Sequence, residues 1–138
     1  MLRPQPRSVL ATAGRLAAAT AGLAGLGGCG TPSSVPVPGR VVHVFQDEYR
    51  IRPAALNVHA GRLKFESTNT GILTHNLRIQ SEGANKRNVQ AIYGTSPVAH
   101  PGQTVVVKVT LPPGRYKLIC GLGNHADLGE RATLTVRR

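Results

Sequence analysis

Apolar and polar residues alternate with a period of two along much of the chain. Residues 62–68 show this most cleanly. Leu63, Phe65 and Ser67 fall on one side, and Arg62, Lys64, Glu66 and Thr68 on the other. That period sends successive side chains to opposite faces and predicts a half-buried strand. Residues 103–111 predict the strongest strand, with Val105, Val107 and Val109 inward. Residues 40–46, 49–51, 55–58, 115–120 and 131–137 read as further strands, and 75–80 and 89–93 as weaker ones. Turn residues such as Pro112-Pro113-Gly114 separate them. Short β-branched runs parted by turns predict an all-β sandwich over residues 40–138. No segment carries a helical apolar stripe, and no internal repeat is present.

The first 39 residues break the pattern. Arg3, Arg7 and Arg15 precede an Ala/Leu/Gly run over residues 16–28, which ends at Cys29. A basic start, a short apolar core and small residues describe a secretory signal. Leu26-Gly27-Gly28-Cys29 resembles the bacterial lipobox, in which the cysteine is lipidated after cleavage. An ordinary signal peptide beside a chance cysteine is the alternative. The run is too short and too rich in glycine for a membrane span, which needs about 20 apolar residues. Residues 30–39 hold three prolines and two serines, which predicts an unpacked tether. The expected organisation is a signal over 1–28, a lipidated Cys29 with tether to 39, and one domain over 40–138. It is exported, held on the outer face of the cytoplasmic membrane or its periplasmic side, and monomeric by default.

Net charge is +11 for the 138-residue chain and +8 once residues 1–28 are removed. A basic surface suits anionic lipid or an acidic protein partner. Export and an aromatic content of 4% argue against nucleic acid.

With Cys29 used for lipidation, Cys120 has no partner for a disulfide. An unpaired thiol outside the cytoplasm invites an explanation. Metal ligation supplies one, and a buried structural cysteine is the plain alternative. His125 follows five residues later, and His75-Asn76 lies upstream. One thiolate and two imidazoles on a β-rich scaffold are the donor set of a blue-copper centre, since they hold both Cu(I) and Cu(II).

The segments around these residues strengthen that reading. Leu111-Pro112-Pro113-Gly114-Arg115-Tyr116, then Cys120, His125, Gly129 and Leu134-Thr135-Val136, resemble the closing part of the cupredoxin family. Asn69-Thr70-Gly71 ahead of His75-Asn76 resembles its first-ligand segment. The resemblance is to small plastocyanin-like and azurin-like bacterial proteins and covers nearly all of 40–138. It implies a Greek-key β-sandwich of about seven to eight strands and one copper ion bound by Cys120, His75 and His125. It also implies that Asn76 fastens the two ligand segments together and that His125 marks the edge where electrons pass.

Glu130 departs from the family, which usually places an axial methionine just after this glycine. The only methionine is Met1. Three readings stand open: Glu130 is an axial carboxylate ligand, it points to solvent, or the fold has lost its metal. Zinc also accepts a Cys/His/His/Glu set. His43, His59 and His100 read as surface or packing residues, His100 being the one a loop could bring close. The leading expectation is a copper protein that carries single electrons between redox partners and is not an enzyme. A Cys120/His125 thiol enzyme lacks a nucleophile motif. The rival is a copper carrier or buffer, or a metal-free interaction domain.

Overall fold

The computed structural model describes residues 33–84 and 88–138. The signal segment and Cys29 lie outside them. No helix of the described residues is long and apolar enough to cross a membrane.

Ten strands of the described residues form two sheets. β1 (Val35–Pro36), β4 (Ala55–His59), β6 (Arg78–Ser81), β7 (Ile92–Thr95), β9 (Gly114–Ile119) and β10 (Arg131–Arg137) build one. Its order is β1-β4-β10-β9-β6-β7. The other, ordered β3-β2-β5-β8, holds β2 (Val41–Asp47), β3 (Arg50–Arg52), β5 (Gly61–Asn69) and β8 (Thr104–Leu111). β2 and β5 pair in parallel, as do β4 and β10. The chain crosses to the other sheet between such partners, which gives the layered all-β sandwich expected.

Period-two alternation builds the core. Val42, Val44, Leu63, Phe65, Val107, Val109 and Leu111 face inward from one sheet, and Leu56, Val58, Ile79, Leu118, Leu134 and Val136 from the other. Each fully buried side chain of this size stabilises the fold by about 1.5–3 kcal/mol. Gly94 lets β7 lie close to β8, because a Cβ there would run into Val109 and Val107. Tyr116 donates its hydroxyl to the Pro112 carbonyl at 2.7 Å and fastens the 112–114 turn.

The ten strands exceed the seven to eight that the resemblance implies. Nine answer to segments read as strands, and the tenth, Val35–Pro36, carries no readable period. It lies in the stretch expected not to pack, yet pairs in parallel with Leu56 and Asn57. Proline is tolerated there because the strand is at a sheet edge. The segment expected as a strand from residue 75 becomes regular only at Arg78; His75 makes an isolated bridge to Ala99.

One feature of the inward rows places the site. They are apolar along most of their length and turn polar at one end of the sandwich. Val42 and Val44 lead to Gln46; Leu63 and Phe65 lead to Ser67 and Asn69. Leu77 and Ile79 are preceded by His75; Tyr116 and Leu118 lead to Cys120; Ala132, Leu134 and Val136 are preceded by Glu130. All of these polar ends are buried.

Candidate metal centre

His75 is fixed by the turn before it. The Asn69 side chain accepts the Gly71 N–H at 2.9 Å and donates to the carbonyls of Leu73 at 2.7 Å and Ala99 at 2.9 Å. Asparagine suits this place because its side chain mimics a turn in the backbone. The His75 backbone exchanges two bonds with Ala99, at 3.1 and 2.7 Å. The imidazole is wholly buried.

Cys120, His125 and Glu130 lie on one loop between β9 and β10. The loop is closed by its own donor residues: the Cys120 N–H donates to the Glu130 carbonyl at 3.1 Å, and the Glu130 N–H to the His125 carbonyl at 3.0 Å. The carbonyl of Asn124 accepts the N–H groups of Asp127 and Leu128 within it. Gly129, at φ +120°, makes the bend that returns the chain to the core. Asn76 joins this loop to the His75 segment, its side-chain oxygen accepting the Gly121 N–H at 2.7 Å.

The four donor atoms converge. His75 Nδ1, His125 Nδ1, Cys120 Sγ and a Glu130 carboxylate oxygen all lie within 4.8 Å of one another. Cys120 Sγ stands 3.9 Å from His75 Nδ1 and 3.6 Å from His125 Nδ1. Glu130 approaches His75 Nδ1 at 2.7 Å and His125 Nδ1 at 3.3 Å. Metal–ligand bonds of about 2.0–2.3 Å place tetrahedral donors roughly 3.3–3.8 Å apart. The set is near that size, with the Glu130–His75 pair closer, at hydrogen-bond distance, and its thiolate and imidazoles suit copper or zinc.

Glu130 is 0% exposed, so the reading in which it points to solvent is corrected. It continues the inward row of β10. Its Oε1 accepts a hydrogen bond from Gln46 Nε2 at 2.9 Å, and Gln46 Oε1 accepts one from Ser67 at 2.6 Å. Burial pushes the Glu130 carboxyl up, and His75 and Gln46 pull it partly back. Burial likewise pushes the Cys120 thiol up.

Two partners of the site were not among the residues singled out from the sequence. Gln46 is the first. Glu48 is the second, with Oε1 3.1 Å from His75 Nε2. The inward alternation that ends in Gln46 carries a signal for the first; no local pattern marks the second. His43 sits on the surface beside Glu66, and His59 is exposed at the end of β4, its Nδ1 2.9 Å from the Arg138 carbonyl oxygen. His100 follows Ala99 but is exposed and stands outside the donor group.

Of the two donor imidazoles, only that of His125 reaches the surface, its side chain 16% exposed. Tyr49 meets it edge-on at 5.0 Å between ring centroids. The neighbouring loops expose Ile72, Leu73 and Leu128.

This arrangement sits in a fold shared with solved auracyanin structures. The structure superposes on reduced auracyanin from Roseiflexus castenholzii with a TM-score of 0.62 at 19% identity, covering 72% of this chain and 98% of that one. The fold is that of a cupredoxin. Auracyanin A from Chloroflexus aurantiacus, a blue copper protein, gives 0.59 at 24% identity over 74% of this chain and 99% of its own. Auracyanin B gives 0.62 at 20% identity over 74% and 91%. No family model and no curated protein matches the chain. The likeness therefore lies in the cupredoxin backbone, and the site rests on the side chains described above.

Proposed function

We propose that this chain is an extracytoplasmic mononuclear copper protein that carries single electrons, with His75, Cys120, His125 and Glu130 as its ligands. The observation that carries the reading is the convergence of one thiol, two Nδ1 atoms and one buried carboxylate at one end of a cupredoxin sandwich. Copper bound there would supply one-electron Cu(I)/Cu(II) chemistry.

The protein's own residues do the rest. Cys120 and the two imidazoles offer donors acceptable to both oxidation states. The sheets hold His75 and Cys120 in place, so little has to move between the states. Glu130 takes the position of a thioether. A hard anionic oxygen favours Cu(II), which lowers the reduction potential and makes the site less purely blue. Asn76 and the Gly121 amide tie the ligand loop near the sulfur and tune it. The partly exposed edge of His125, beside Tyr49, is the path for electrons. No substrate and no catalytic acid or base enters the reading. Lipidation of Cys29 would hold the domain at the membrane, and the +8 charge left once residues 1–28 are removed suits an acidic redox partner.

A second reading, a copper carrier or buffer, is supported by Glu130, since a carboxylate that prefers one oxidation state favours storage over cycling. The test is a Cu(II) titration of residues 30–138, read by visible absorption and EPR. The expected result is one equivalent bound, with an intense thiolate-to-copper band that Cys120→Ser abolishes. Glu130→Met should move the spectrum toward an ordinary blue site and raise the potential. Binding that is lost on reduction would turn the assignment to a carrier, and no stoichiometric binding would reject both.

A further inference from the structure

His75 has a carboxylate at each ring nitrogen. Glu130 faces Nδ1, and Glu48 faces Nε2 at 3.1 Å. Glu48 is held in place by its own donors. Its Oε1 accepts the N–H groups of Ile72 at 2.9 Å and Leu73 at 2.7 Å. Two N–H donors on one carboxylate favour its ionised form. Gly71 makes room for it, because a Cβ there would collide with both carboxylate oxygens. Of the six acidic residues in the chain, two are thus directed at one imidazole.

We infer that Glu48 is a positioning residue for the metal centre: it takes the Nε2–H of His75, leaves Nδ1 as the ligating nitrogen, and adds a fixed negative charge that favours Cu(II). The inference rests on the copper reading above. A histidine ligand whose second nitrogen donates to a carboxylate is fixed in tautomer and orientation and becomes a stronger donor. Here the carboxylate's side chain is only 24% exposed. Its charge is therefore only partly screened from a site one imidazole ring away. With Cys120 as thiolate and Glu130 ionised, Glu48 makes a third negative charge at the centre. Reduction to Cu(I) leaves that excess less compensated, so the oxidised state gains more from Glu48 than the reduced one.

The experiment compares wild type, Glu48→Gln, Glu48→Asp and Gly71→Ala, each loaded with one equivalent of copper. Readouts are the thiolate-to-copper band, the reduction potential and the urea midpoint. Glutamine keeps an oxygen for the Ile72 and Leu73 amides but loses the charge. Glu48→Gln should therefore keep the band and the urea midpoint. Its ratio of Cu(II) to Cu(I) affinity should fall about tenfold, a rise of about 59 mV in potential. Glu48→Asp, which keeps the charge, should restore most of the difference. Gly71→Ala displaces the carboxylate without changing it, and should raise the potential even if Glu48→Gln fails to fold. A copper-loaded Glu48→Gln with an unchanged potential overturns the inference and leaves the copper reading standing. A wild type with no band overturns the copper reading, and this inference with it.

Discussion

The two histidines of the centre lie on contrasting halves of it. His75 is fully buried, bridged by its backbone to Ala99 and bounded by carboxylates at both nitrogens. Its segment is stitched to the sandwich by the three hydrogen bonds of Asn69 and reaches Gln46 through the Asn76 carbonyl. His125 stands on a loop whose internal bonds are local, and its side chain is partly open to solvent. One half is therefore built as an extension of the core, the other as a clasp closed over it. On the proposed copper reading the difference divides the roles: the rigid half would set ligand geometry, and the open half would be where an electron or an exogenous molecule arrives.

The sharpest way to break this contrast is to delete each ring. His75→Gly and His125→Gly should both lose the copper band of wild type. Added imidazole should restore it in His125→Gly, where the hole opens to solvent, and not in His75→Gly, where the hole is sealed. Equal rescue of both variants, followed by visible absorption, would show that the two halves do not differ in access.

Stability should divide in the same way. Asn69→Ala removes one buried and two partly buried hydrogen bonds and leaves the Leu73 and Ala99 carbonyls and the Gly71 amide without that partner. The expected loss is on the order of 3 kcal/mol, read from urea unfolding. Gln46→Leu follows, at about 2 kcal/mol, because it strips the donor from a buried Glu130 and the acceptor from Ser67. A larger loss for Gln46→Leu in the apo protein than in the copper-loaded one would indicate that a metal ion takes over part of its work on Glu130.

Much of this molecule can be read from its sequence, and the parts that cannot share a cause. Period two over 62–68 and 103–111 finds β5 and β8, because one face of each strand is core and the other solvent. The donors Cys120, His125 and Glu130 are near in sequence, and His75 is marked by the Asn69-x-Gly71 turn. Glu48 and Gln46 are different. Gln46 meets Glu130 across 84 positions and Glu48 meets His75 across 27. Those contacts exist only once the two sheets are stacked, so the alternation that ends in Gln46 marks it as inward without naming its partner, and no local pattern marks Glu48. The same holds for Val35–Pro36, whose two residues form a strand only because β4 offers a free edge.

The smallest effect belongs to the clasp. Asn124 has an exposed side chain, and what it gives the loop is its backbone carbonyl, which accepts the Asp127 and Leu128 amides. Replacing it with alanine keeps that carbonyl and removes no buried side-chain partner. Asn124→Ala should therefore change unfolding free energy by no more than about 0.5 kcal/mol. It should also leave the copper band in place, because His125 is held by its own amide to Leu122 and its carbonyl to Glu130. A loss approaching that of Asn69→Ala would mean that the loop depends on side-chain bonds as the His75 segment does, and the division between a built half and a clasp would not stand.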